Sequence, residues 1–433
     1  MILPWTRRYV PIILIEAYLT ITVLFFAFSP WDYTIENAGA LYAFLVAVQI
    51  ALLAGYVSVV RRAAPPAGVI AVSRRFFIAA TVTQLLLLYP TAAFRTGGEF
   101  SVIGAIMDPG AAYAASRVAR DINDSPIEYV RLLFGPLLVA PFPLTVYYWG
   151  RLSRRLRILG VAAISGHLSI YVATGTNKAI MDAVLLIPWV LLASMWAGIS
   201  QMRRKHVLGA LLALVVAFGA ALAFFGQTQQ TREGSAAVFG SFSAAGATAD
   251  YDHPLMRGLP FEGQVVMLGL NSYVTQGYYA LSLAITEPFE PMWGVGNSMF
   301  LTRQAVRLTG DESIEERSYP AKIEKYGWDR YLLWSSLYAW LASDVSWIGV
   351  VALMFLVGRL FAAAWLGSLG GGNPFAPVML WMVVMVLLYA PANNQALQSG
   401  EGFTAFFGTL LAWALTRAKV PSAASSTVHE VSA

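Results

Sequence analysis

Apolar runs of about 20 residues, the length that crosses a bilayer core of roughly 30 Å, recur along this chain. Short polar segments rich in arginine, glycine and proline punctuate them. The pattern predicts ten membrane-spanning helices, at residues 9–29, 39–60, 76–94, 130–150, 158–174, 179–200, 207–226, 344–366, 375–393 and 402–417. Residues 331–343 hold a shorter apolar stretch between Asp329, Arg330 and Asp344. That stretch reads as an amphipathic or half-inserted helix, and as an eleventh span in the alternative count. No inverted-topology repeat of the kind that marks many transporters is visible.

The periodicity breaks between Gly226 and about Tyr331. Loops of that length inside a compact architecture are functional or disordered, and this one is rich in aromatic residues, which argues for order. It also holds Arg232, Arg257, Arg303, Arg307, Arg317, Lys322, Lys325 and Arg330. The expected organisation is therefore seven helices over residues 1–226 with a small outer cap at 95–128. A large, partly helical outer loop with re-entrant segments follows over 227–343, then three helices over 344–420 and a disordered tail over 421–433. The fold class is an all-α polytopic membrane protein.

Composition sharpens that picture. The chain is 58% hydrophobic and 12% charged, against about 25% charged in soluble domains. Without cysteine it has no disulfide framework and no thiolate chemistry, and four histidines leave little scope for a zinc site. The net charge of +5 needs no nucleic-acid partner, because the cations flank helices. Arg7, Arg8, Arg61, Arg62, Arg74, Arg75, Arg151, Arg154, Arg155, Arg157, Arg203, Arg204, Lys205, Arg417 and Lys419 all fall on one side of the predicted topology. The positive-inside rule then places both termini in the cytoplasm and the 227–330 loop outside.

Candidate chemistry lies on the outer side. Arg95 ends the third span, Arg232 follows the seventh after Gln227, Gln229 and Gln230, and Arg303 and Arg307 are four residues apart. A guanidinium fork matches phosphate oxygens bidentately and stays charged, and the i, i+4 spacing puts the last two on one helix face as a diphosphate clamp. The bland alternative pairs them with Asp311, Glu312, Glu315 and Glu316. Lys178, in the polar turn Thr174-Gly-Thr-Asn-Lys178, is placed to bind an anion at a helix start or to pair with Asp182. His253, in Asp250-Tyr-Asp-His253, is a candidate base or a solvated loop histidine. Asp344 is a candidate base or a helix cap. His167 reads as helix packing, and Glu16 is an intramembrane charge without an evident partner.

Two amide-rich clusters complete the set. Asn271, Tyr273, Gln276 and Tyr278 lie in a half-apolar stretch at 263–285, and Asn393 and Asn394 follow the ninth span. With Asn297, these amides and rings suit sugar hydroxyls and faces; the alternative is interhelical hydrogen bonding.

Taken together, the segments Thr174-Gly-Thr-Asn-Lys178, Tyr273-Val-Thr-Gln-Gly-Tyr278, Trp293-Gly-Val-Gly-Asn297, Gly327-Trp328 through Ala342-Ser-Asp344 and Pro391-Ala-Asn-Asn-Gln395 resemble those of the oligosaccharide repeat-unit (O-antigen, Wzy-type) polymerases of bacterial envelopes. The resemblance covers most of the chain in topology and about a third in motifs. It implies a GT-C-like architecture and a metal-independent glycosyl transfer on the outer face of the cytoplasmic membrane. Donor and acceptor are then undecaprenyl-diphosphate-linked glycans, no cofactor is needed, and a chain-length regulator protein is a further partner. It assigns diphosphate stabilisation to Arg232, Arg303 and Arg307; the histidine motif of the related O-antigen ligases is not found around His253. Two other readings stand beside it. One is a polyprenyl-phosphate-sugar transferase using Asp32 or Glu36 in the first outer loop, although that loop is short. The other is a flippase for lipid-linked glycan, which calls for polarity on both faces of the membrane.

Overall fold

The computed structural model describes residues 4–62, 72–122, 126–201, 242–370 and 373–416, with scattered positions between 209 and 220. Most of the expected seventh span, Arg232 and the tail after Pro421 lie outside the described residues.

The chain opens with α1 (Trp5–Ala27), a three-residue strand β1 (Trp31–Tyr33) and α2 (Ala38–Val60). Next come α3 (Arg74–Leu86) and α4 (Leu88–Arg95), then the short α5 (Val102–Met107) and α6 (Pro109–Ile122). A broken segment follows, α7 (Pro126–Leu133), α8 (Gly135–Val139) and α9 (Pro141–Tyr147), before α10 (Arg154–Ala173) and α11 (Lys178–Trp196). The long loop contains β2 (Ala247–Ala249), α12 (Phe261–Ala284), α13 (Met299–Thr309), α14 (Ser313–Glu316) and α15 (Tyr319–Lys322). Three helices end the described chain, α16 (Leu337–Ser368), α17 (Ala376–Tyr389) and α18 (Gly400–Leu415).

Among the described residues six helical segments are long and apolar enough to cross a membrane, or seven if the bent α7–α9 pair is one span. The protein is thus a helical membrane protein whose outward faces carry Ile13, Ile21, Ile50, Leu86, Ile158 and Leu411 exposed. Side chains of that kind need a hydrocarbon solvent.

Two expected spans, and two further segments, take a different form. Residues 130–150 bend by 74° between α7 and the α8–α9 segment, because Gly135 and Pro136 interrupt the hydrogen-bond ladder at the junction. The expected 375–393 span is the 14-residue α17, buried from Ala376 through Leu388. A helix that is apolar all round belongs in a core. Residues 331–343 are not a surface amphipathic helix. Leu337 to Ser343 is a buried first segment of α16, separated from the rest by non-helical Ser346 with φ 63° and ψ 172°. The 263–285 stretch is part of the 24-residue α12, packed across the end of α1, where Asn271 Nδ2 donates to the Phe25 carbonyl at 3.1 Å.

Hydrogen bonds define two ends of the bundle. At the arginine-rich end, Arg7 donates to the Trp196 carbonyl at 3.0 Å, Trp365 Nε1 to the Arg7 carbonyl at 2.8 Å and Tyr56 to the Arg8 carbonyl at 2.7 Å. At the opposite, loop end, β1 pairs antiparallel with β2, and Trp31 Nε1 donates to the Leu268 carbonyl at 3.1 Å. The first loop, with Asp32 opposite Thr248, is therefore a strand edge.

The tightest helix contact joins α2 and α16. A Cβ at Gly358 would stand 2.1 Å from the Leu52 carbonyl oxygen, and one at Gly55 would stand 2.0 Å from the Phe355 carbonyl oxygen. Two helix backbones touch through paired small residues, the packing device that membranes favour. Gly358→Ala should lower stability by about 1–3 kcal/mol through forced separation, read as a reduced thermal midpoint in detergent. Gly39→Ala in α2, where nothing lies within 4 Å, is the control; equal midpoints for both variants would contradict this contact.

In the loop, Glu287 accepts from Lys325 at 2.7 Å and from Tyr326 at 2.7 Å. Burial pushes its carboxyl up, but these partners pull it further down, leaving it below the ordinary carboxylate value. A depressed carboxylate stabilises the fold above its unfolded pKa and loses that contribution as pH falls through the folded value. Glu287→Gln should therefore flatten the acid limb of the thermal midpoint plotted against pH; an unaltered limb would assign the acid sensitivity elsewhere.

Candidate functional site

Packing at the loop end leaves a cavity of about 610 Å³, walled by α3, α4, α7–α11, α13, α17, the 395–399 turn and α18. Its cations are Arg95, Lys178 and Arg303, three of the four described residues that the sequence singles out for diphosphate, Arg232 lying outside the described residues. The fourth, Arg307, donates to Tyr129 Oη at 2.6 Å, and Tyr129 lines the cavity.

Each cation is set by its helix. Arg95 is the last residue of α4, and its fork grips Glu128 of α7 at 2.7 and 2.9 Å. Arg131, one turn along α7, grips Glu401 of α18 in the same bidentate way at 2.9 and 2.7 Å and donates to Thr91 at 3.1 Å. Arg131 is 3% exposed. Glu401 also faces Arg95 at 3.6 Å, so two arginines and two glutamates form one network. Lys178 begins α11 and reaches Asp182 at 2.6 Å, and Tyr389 of α17 donates to the other Asp182 oxygen at 2.7 Å. Arg303 is exposed and lies 5.9 Å over the Tyr331 ring. Alone among the lining cations, it forms no ion pair with a described residue.

The opposite wall is apolar, formed by Leu132, Leu138, Val139, Phe142, Met382 and Met385. A single cavity therefore presents fixed cationic forks beside a hydrocarbon surface. That combination suits an anionic amphiphile, because the charged head pairs with guanidinium while the tail replaces water against methyl and methylene groups. Among the described residues, no group of three histidine, aspartate or glutamate side chains could hold a metal ion.

The other sequence candidates lie elsewhere. Asp344 accepts from the backbone N–H groups of Gly294, Gly296 and Asn297 at 2.8, 2.9 and 2.8 Å, and from Asn297 Nδ2 at 2.8 Å. Those four bonds occupy its carboxylate and pin a loop in which Trp293 has φ 56°, so its geometry is that of a tether. His253 accepts through Nδ1 from the Leu255 N–H at 3.3 Å in a loop turn and does not line the cavity.

The amide candidates are glue between helices. Asn271 accepts from Ser29 at 2.7 Å, Gln276 from the Trp334 N–H at 3.0 Å, and Tyr278 meets Thr22 at 2.9 Å. Tyr273 packs edge-on against Trp334 at 4.7 Å. Asn394 donates through Nδ2 to the Asn297 carbonyl at 2.5 Å and through its backbone N–H to Asn393 Oδ1 at 2.8 Å. None of these lines the cavity. Sequence reasoning missed Arg131 and Glu401. Their signal was available as an arginine inside an apolar run and a glutamate at the start of one, where an intramembrane charge requires a partner.

Comparison of the chain with protein-family models, curated proteins and solved structures finds no match in any of the three.

Removing one partner of a buried ion pair strands the other. Glu401→Gln and Arg131→Met should each cost about 3–5 kcal/mol. The double variant Arg131→Met/Glu401→Leu should recover most of the loss in a thermal unfolding cycle. Additive losses would show that the two side chains stabilise the bundle independently.

Proposed function

We propose that this chain is a membrane glycosyltransferase that polymerises undecaprenyl-diphosphate-linked oligosaccharide repeat units. In this reading it sits in the bacterial cytoplasmic membrane with ten spans in a GT-C-like arrangement, both termini cytoplasmic and the cavity on the outer face. The observation that carries the proposal is the cavity's composition, with Arg95, Lys178 and Arg303 beside an apolar wall. The resemblance in the loop and turn segments supplies the substrate class.

The reaction then proceeds by displacement at the anomeric carbon. The acceptor hydroxyl forms the new glycosidic bond, the bond to the diphosphate breaks, and the hydroxyl proton passes to a base. The leaving lipid diphosphate gains negative charge as the bond stretches. Guanidinium groups fixed in place stabilise that charge without reorganising, and a dry wall strengthens the attraction. Arg303, unpaired among the lining cations, makes first contact with the diphosphate. Arg95 and Lys178 are held by carboxylates that an incoming phosphate competes with. Arg232 joins them on sequence grounds; His253 and Asp344 do not line the cavity. The pairing of all other lining cations favours an enzyme that holds one anionic head over a broad polar conduit.

Cells lacking the gene should carry surface glycan collapsed to single repeat units, restored to a ladder by the wild-type gene. Complete loss of surface glycan with accumulated lipid-linked material would instead support a ligase or flippase. Arg303→Ala should reduce polymerisation by about tenfold or more at equal protein level, with weak rescue by Arg303→Lys because an ammonium lacks the fork. Full rescue by lysine would reduce Arg303 to a general electrostatic role.

A further inference from the structure

Charged groups account for only part of the cavity lining. Gln84 of α3 is 8% exposed and lines the cavity, yet its Oε1 has no hydrogen-bond partner among the described residues. Gln398, in the turn before α18, accepts from the Met299 N–H through Oε1 at 3.3 Å. Its buried Nε2, in the same cavity lining, has no partner among the described residues. His167 of α10 lines the cavity too, with its ring against Tyr171 at 5.1 Å. Trp381, 4% exposed, offers an aromatic wall to the same space.

Gln84 lies below the charged mouth. Gly166, next to His167, packs against Leu88, and Gln84 is one helical turn before Leu88, about 6 Å further along the axis. A buried amide without a partner is costly, and an isoprenoid chain has nothing to offer it. Phosphate oxygens at neutral pH are acceptors, so they cannot satisfy Oε1 and are already matched by guanidinium. A hydroxyl both donates and accepts, so it can complete Gln84 Oε1 and Gln398 Nε2 alike.

We infer that Gln84 and Gln398, with His167 and Trp381 beside them, form a hydroxyl-recognition subsite for the sugar attached to the lipid diphosphate. The inference rests on the proposed function and assigns the sugar to the cavity floor and turn instead of to the Asn271–Tyr278 cluster. It makes the site selective for glycosylated lipid over bare lipid diphosphate, so that spent carrier does not occupy it with equal affinity.

The test is binding by full-length protein in lipid nanodiscs, titrated with undecaprenyl diphosphate and with undecaprenyl diphosphate carrying one sugar. Gln84→Met and Gln398→Met should each weaken binding of the sugar-bearing lipid by about tenfold and leave the bare lipid unchanged. Arg303→Ala should weaken both. Gln84→Met should also unfold at the wild-type temperature or above, because it removes an unsatisfied buried acceptor; a purely structural glutamine would lose stability instead. If wild type binds both lipids and the glutamine variants match it, or lose both equally, the subsite is wrong and the diphosphate reading stands. If wild type binds neither lipid, the proposed function fails and the subsite fails with it.

Discussion

The Arg131–Glu401 ion pair is the constraint around which the loop end is organised. Two charges inside a membrane bundle are expensive, and only a bidentate geometry with further hydrogen bonds offsets their desolvation. Arg131 meets that demand with Glu401 on one side and Thr91 on the other. The pair therefore locks α7, α18 and α4 in a fixed relation. Glu401 in turn faces Arg95, so the position of the cavity's central cation follows from the same pair.

The bend between α7 and the α8–α9 segment gives this network its consequence. A straight helix over residues 130–150 would fill the space between α10 and α18. Gly135 and Pro136 turn the chain by 74°, and Leu138, Val139 and Phe142 become a wall instead of a plug. Beside them α17, buried all round, supplies Trp381, Met382 and Met385 to the same lining, with Trp381 packed on Phe142 at 4.9 Å between ring centroids. Charge, bend and buried helix together produce a cavity that is ionic at the mouth and apolar along the sides, and the loop elements close over it through α13.

The membrane class, the two ends of most helices and the cations Arg95, Lys178 and Arg303 were legible in the sequence, because each follows from local composition: apolar length, flanking arginines, a cation at a helix boundary. What was not legible depends on partners distant in sequence. Arg131 and Glu401 are 270 residues apart. Asn271 and Tyr278 carry the residue types that sugars require, yet their partners are Phe25 and Thr22 on α1 and Ser29 just beyond it; amides near membrane depth serve helix packing and ligand binding equally well. Asp344 looked like a free carboxylate because nothing local announces that four N–H groups from residues 294–297 converge on it. The broken start of α16 was hidden for the same reason, since Ser346 carries no sequence signal for a positive φ.

The central claim is that one polypeptide, through its cation-lined cavity, transfers glycan from one lipid diphosphate to another. The most direct measurement is the reaction of the purified full-length protein in nanodiscs with a single lipid-linked repeat unit and no other protein. The account predicts products longer by whole repeat units, with one undecaprenyl diphosphate released for each bond formed. A preparation that binds the lipid-linked repeat unit but releases no diphosphate lipid and forms no dimeric product would contradict it.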